Sequence, residues 1–138
     1  MKEILTILIS VISSIGVNHG NSNVNMINFG GHAESAFFVG DVMQGGVDTQ
    51  KTNFMMTGDS TLNRTLLSAR YILSGTDCDG KPCKIFVENN AVSGEQYTHP
   101  TILTDSKALD FLNNNDNLKG KIDMTGGKLT IRIYAAKK

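Results

Sequence analysis

No run of like charge occurs anywhere in this chain of 138 residues, and its 13 basic and 13 acidic residues cancel. A neutral, evenly mixed surface lacks the electrostatic footprint of a nucleic-acid binder or of a protein held on a membrane by basic residues. No apolar run reaches the ~18 residues of a membrane-spanning helix. Neither nucleic acid nor membrane is therefore expected as a partner. Cysteine occurs only twice, and a structural zinc site needs four ligands, so the pair alone does not make one. The sequence contains no G-x-S-x-G, P-loop, H-E-x-x-H or C-x-x-C motif. No metal and no organic cofactor are expected, and no known catalytic signature is present.

The residues that are present describe a globular chain, 40% hydrophobic and 19% charged. Its length suits one domain, residues 1–138, able to bury roughly two-thirds of its unfolded surface. Fourteen Gly against two Pro, with abundant Val, Ile and Thr, point to strands joined by Gly/Asn/Asp turns. The most informative stretch is residues 30–50, GGHAESAFFVGDVMQGGVDTQ, where two Gly-Gly pairs bracket one alternating segment. Phe37, Val39 and Met43 alternate with Phe38, Gly40, Val42 and Gln44, apolar on both sides, so neither face is expected to meet bulk water.

Further strands are expected over residues 4–15, 21–29, 35–44, 47–56, 62–74, 83–89, 97–103 and 128–135. Residue 99 precedes Pro100 and is pushed into extended geometry. One helix is expected over residues 105–112: Thr104 can cap it, and Ala108, Leu109, Phe111 and Leu112 form an apolar stripe. The first segment superficially resembles a secretory leader. Glu3, Thr6 and Ser10 break that pattern, and its β-branched content suits a first structural strand, so a cytoplasmic location is expected. Eight to nine strands with one short helix make an all-β chain. Scattered polar groups on otherwise apolar strands favour a closed antiparallel β-barrel around a cavity over a sandwich.

Cys78 and Cys83 flank the turn Asp79-Gly80-Lys81-Pro82 and are expected to be free thiols in a reducing compartment. The three histidines read as solvated surface groups. Asn63-Arg64-Thr65 matches a glycosylation pattern that matters only in a secreted eukaryotic protein. The polar residues that stand out are Asp48 and Gln50, two apart and so on one strand face, together with Arg70, Tyr71 and Asn89. A buried Arg must be paired, and Asp48 is its natural partner. The functional reading is a ligand-binding set of Asp48, Gln50, Arg70, Tyr71 and Asn89 inside the barrel. The bland reading is a structural ion pair with turn-fixing amides.

The ordered pattern G-G-x-x-x-S-x-x-x-x-G-x-V-x-x-G-G-V-D-x-Q from Gly30, then Ala69-Arg70-Tyr71, Asp79-Gly80 and I-x-V-x-N from Ile85 to Asn89, resembles a known family. This is domain of unknown function 3237, also called uncharacterised protein family 0311. The resemblance extends over nearly the whole chain, to Tyr134. Thr49 stands where the family usually has an aromatic residue, and the Cys78/Cys83 hairpin is not a feature of the family. The resemblance implies a calycin-like barrel and brings no settled activity. Three functions follow as expectations: a binding protein for a small, partly apolar molecule; a cofactor-free isomerase, cyclase or dehydratase with Asp48 as general base; or a secreted structural module closed by a Cys78–Cys83 disulfide. Pairing of exposed strands into a homodimer is a further expectation.

Overall fold

A computed structural model describes residues 1–54 and 64–136. Nine strands follow in order: β1 (Lys2–His19), β2 (Ser22–Glu34), β3 (Phe38–Val42), β4 (Val47–Thr52), β5 (Thr65–Asp77), β6 (Pro82–Val92), β7 (His99–Thr104), β8 (Lys119–Thr125) and β9 (Lys128–Ala135). All pair antiparallel in one sheet of order β7-β6-β5-β3-β2-β1-β9-β8, with β4 between β2 and β5. Backbone hydrogen bonds run both ways between Thr98, just before β7, and Gly120 of β8, at 2.8 and 3.1 Å. They tie one end of the strand order back to the other. Among the described residues no helix is long and apolar enough to cross a membrane.

The Gly pairs explain how two short strands fill one slot. The first half of β2 pairs with β4, and its last residues, after Gly30-Gly31, pair with β3. β5 makes the same exchange in the same order, Thr65–Arg70 pairing with β4 and Leu73–Asp77 with β3. Gly45 turns the chain between β3 and β4 with φ of 107°, a conformation that costs glycine little. The cross-strand pair Gly40–Gly75 lets β3 and β5 approach closely: a Cβ on Gly75 would lie 2.0 Å from the Val39 carbonyl oxygen.

The core follows the two-residue period. Ile85 and Val87 on β6, Leu73 on β5 and Ile131 and Ile133 on β9 turn inward, meeting Phe38 and Leu112. A bulge between Glu3 and Leu5 breaks the alternation on β1, so the adjacent Ile4 and Leu5 are both buried.

Three expectations need correction. The expected helix is only a short 3-10 turn, Asp110–Leu112. Here side chains take the local donors: Thr104 Oγ1 accepts the Ser106 N–H, Ser106 Oγ accepts the Leu109 N–H, and Asn113 bonds the Thr104 backbone at both ends. Asp105, expected in a helical first turn, instead accepts the Lys84 N–H at 2.8 Å. The segment at residues 35–44 is a strand only over Phe38–Val42, and one face meets water, with Val39 43% exposed. β8 was not expected at all, although its Gly126-Gly127 turn into β9 (φ of 58° and 80°) has the dipeptide chemistry of a tight hairpin. The expected ends of two strands, at residues 56 and 62, and the glycosylation residue Asn63 lie outside the described residues.

The Asp79-Gly80 hairpin forms as expected. Asp77 and Lys81 close it by a backbone bond, and Gly80 has φ of 75°. Both cysteines are free thiols, Cys78 exposed and Cys83 buried.

A candidate ligand cavity

One cavity of about 210 Å³ lies on the inner face of the sheet. Its walls are mainly apolar: Ile9 and Val11 from β1, Ile27 and Phe29 from β2, Leu67 and Ala69 from β5. Ile122, Leu129 and Ile131 from β8 and β9 close the opposite side. Strand alternation then decides which polar residues enter it. Asp48 and Gln50 on β4 pair with Ile27 and Asn25 on β2, which sets them inward. Tyr71, two residues from Ala69, and Asn89, two from Val87, point the same way.

Four polar atoms of this cavity are buried and have no hydrogen-bond partner among the described residues: Asp48 Oδ1, Tyr71 Oη, Asn89 Oδ1 and Thr98 Oγ1. Buried polar groups in folded proteins are nearly always paired, so four orphans in one apolar chamber are an exceptional concentration. The remaining polar contact is internal: Gln50 Nε2 donates to Asp48 Oδ2 at 3.2 Å. Burial raises the Asp48 carboxyl above its ordinary value, and the Gln50 hydrogen bond offsets part of that rise. Burial also drives the Tyr71 phenol well above its usual range, so it remains a neutral hydroxyl. Phe29 packs edge-on against the Tyr71 ring, with centroids 5.3 Å apart, and fixes where the hydroxyl points. Thr98 is held by Gly120, because a Cβ there would fall 2.1 Å from Thr98 Oγ1.

The structure therefore brings together four of the five sequence-derived site residues: Asp48, Gln50, Tyr71 and Asn89. Arg70 is a correction. It is exposed on the other face of β5, where it lines an outer groove with Ser68, Lys51 and Glu95, so the expected Arg70–Asp48 pair does not form. Consecutive strand residues point to opposite faces, and Tyr71 takes the inner one. Sequence reasoning missed Thr98, which precedes its strand and reaches the cavity only through β8. The histidines lie on the surface, His32 on Asp41 and His99 on Glu95, each at 2.8 Å. Among the described residues no group of His, Cys, Asp and Glu is arranged to hold a metal ion.

No family model and no curated protein matches this chain. Solved structures do. A protein of unknown function from Clostridium acetobutylicum aligns with a TM-score of 0.73 at 22% identity, covering 96% of this chain and 93% of its own. A beta-barrel like protein from Acinetobacter baumannii aligns at 0.65 and 17%, covering 96% and 92%. An enzyme from Penicillium herquei aligns at 0.62 and 15%, again covering 96% and 92%. At these identities the likeness is one of fold: the chain has an all-β, beta-barrel-like architecture.

Proposed function

We propose that this protein binds a small, partly apolar molecule inside a closed, calycin-like barrel, and that it belongs with domain of unknown function 3237. The Thr98–Gly120 backbone pair supports closure, and two free thiols suit a reducing cytoplasm. The observation that carries the reading is the convergence of Asp48 Oδ1, Tyr71 Oη, Asn89 Oδ1 and Thr98 Oγ1, all unpartnered, on one apolar cavity. Binding sites have this composition: a mostly hydrophobic wall with a few placed polar groups. The volume, about 210 Å³, somewhat exceeds the ~150 Å³ cavity that accepts benzene, so the ligand is of monocyclic size. Asp48 and Asn89 offer acceptor oxygens, so its polar end carries O–H or N–H donors. Arg70, on the outer face, has no part in this site.

Native and denaturing mass spectra of one preparation test the reading. We expect a non-covalent mass excess in the native spectrum that disappears in an Ala91→Leu variant, which fills the cavity wall. An excess that persists unchanged in Ala91→Leu would place the ligand elsewhere. No excess, with no melting shift from small hydroxylated or amine-bearing ring compounds, would overturn it.

One observation favours a second reading, a cofactor-free acid–base enzyme. Asp48 is a carboxyl raised by burial, with one oxygen unpartnered among the described residues inside a mainly apolar chamber, which is how a general acid or base is poised. On this reading, turnover fails in Asp48→Asn while ligand is still retained; turnover independent of Asp48 removes it.

A further inference from the structure

The hairpin of β1 and β2 has an uncovered side of its own. β1 pairs with β9 only as far as Leu8, opposite Thr130. From residue 9 to residue 19, among the described residues, its one partner is β2. Among the described residues one whole backbone edge of that length is therefore unpaired. The side chains above it are open as well: Val11, Ile12, Ile15 and Val17 are each between 64% and 74% exposed. Val11, opposite Phe29, edges the cavity, whereas Ile15 and Val17, with their partners Met26 and Val24, share the outer face, and Ile12 lies over the bare Gly30 beside them. From Ile4 to Ala33 there is no Lys, Arg, Asp or Glu.

Folded proteins normally blunt such an edge with lysine, proline, a bulge or a covering loop. Residues 9–19 contain no lysine or proline, and among the described residues only a bulge, between Val11 and Ser13, interrupts the edge. We infer that this edge pairs antiparallel with the same strand of a second copy, making a two-fold dimer in which Ile12, Ile15 and Val17 of the two joined β1–β2 hairpins lie side by side. Three considerations select that occupant. A stretch without charge offers no electrostatic complement by which a foreign partner would be chosen, whereas a second copy supplies the same apolar strand and a closed symmetry. A lipid surface would leave the open N–H and C=O groups unsatisfied, where a strand satisfies them. From residue 9 to residue 28 the hairpin also has no Lys, Arg, Phe, Tyr or Trp to act as an interfacial anchor.

Size-exclusion chromatography with light scattering tests the inference on the whole chain, independently of the cavity. At ~10 µM the expected mass is twice that of one chain, for a dimer of micromolar or tighter affinity. An Ile15→Lys, Val17→Lys double variant is expected to fall to the single-chain mass with an unchanged far-ultraviolet circular dichroism spectrum. Hydrogen exchange on the wild type supplies a readout free of any variant: amides of residues 9–17 should lose protection on dilution, in step with the fall in mass. A single-chain mass at ~100 µM would overturn the inference, as would a dimer that survives both lysines or protection that ignores dilution. Single-chain protein that floats with neutral phosphatidylcholine vesicles would overturn it in favour of lipid.

Discussion

Replacing Tyr71 by Phe should stabilise the fold while weakening its grip on a ligand. Tyr71 is buried, its ring packs edge-on against Phe29, and its hydroxyl has no partner among the described residues. Phe keeps the ring and that aromatic contact, so no cavity is made and the loss is the oxygen alone. Burying a hydroxyl without a hydrogen bond costs about 1–3 kcal/mol in protein mutational data. The chamber is large enough to admit water beside the oxygen, which places the expected gain at the lower end, about 1 kcal/mol. For a chain of this length that corresponds to a rise in Tm of about 3–5 °C. Thermal and guanidinium denaturation of ligand-free protein would read it, and native mass spectrometry would read retained ligand, which should fall. A Phe variant less stable than wild type by 1 kcal/mol or more would refute the reasoning. It would mean that the hydroxyl is held by a bond within the free protein and is not reserved for a ligand.

Asp48 should show the same tension as a pH dependence. Its carboxyl is raised by burial, so the folded state holds the proton more tightly than the unfolded chain, and stability falls as pH rises from the ordinary carboxyl value through the raised one. Asp48→Asn should therefore melt higher than wild type at pH 7 and equally at pH 3; equal melting at both would show that burial does not strain the carboxylate. Gly120→Ala drives a methyl group against Thr98 Oγ1 and should loosen the backbone pair between them. Hydrogen exchange at the Thr98 and Gly120 amides should rise, and unchanged protection would refute that close approach.

The inner half of this site was legible because strand geometry is legible. A spacing of two puts Asp48 and Gln50 on one face, and apolar neighbours at the same spacing, Ala69 and Leu73 about Tyr71, or Ile85 and Val87 before Asn89, say which face is inside. Arg70 failed on that same rule. Arg70 and Tyr71 are adjacent on β5, so no single cavity receives both side chains, and the face of Ala69, Tyr71 and Leu73 is the more apolar of the two. Expecting a buried ion pair with Asp48 set a charge argument above the strand period, although the surface could solvate Arg70 at no cost.

What stayed hidden depends on contacts distant in sequence. Thr98 becomes a cavity residue only because Gly120, on a strand that a run of Asn and Asp obscured, comes within bonding distance of its backbone. The unpaired length of β1 was equally invisible. An apolar, β-branched segment reads the same whether β9 accompanies all of it or stops at Thr130. Period and composition therefore locate what faces a core, and only pairing partners reveal which apolar strand has no neighbour. Face and the bulge separate Ile7, turned inward opposite Ala33 and Ile131 and fully buried, from Ile15, which lies beyond the bulge on the outer face opposite Met26 and is left in water. Burial of Ile7 contributes roughly 2–3 kcal/mol to folding. Ile15 contributes only as far as side chains of a neighbouring strand cover it, so the hairpin should gain stability with protein concentration while the core about Ile7 does not.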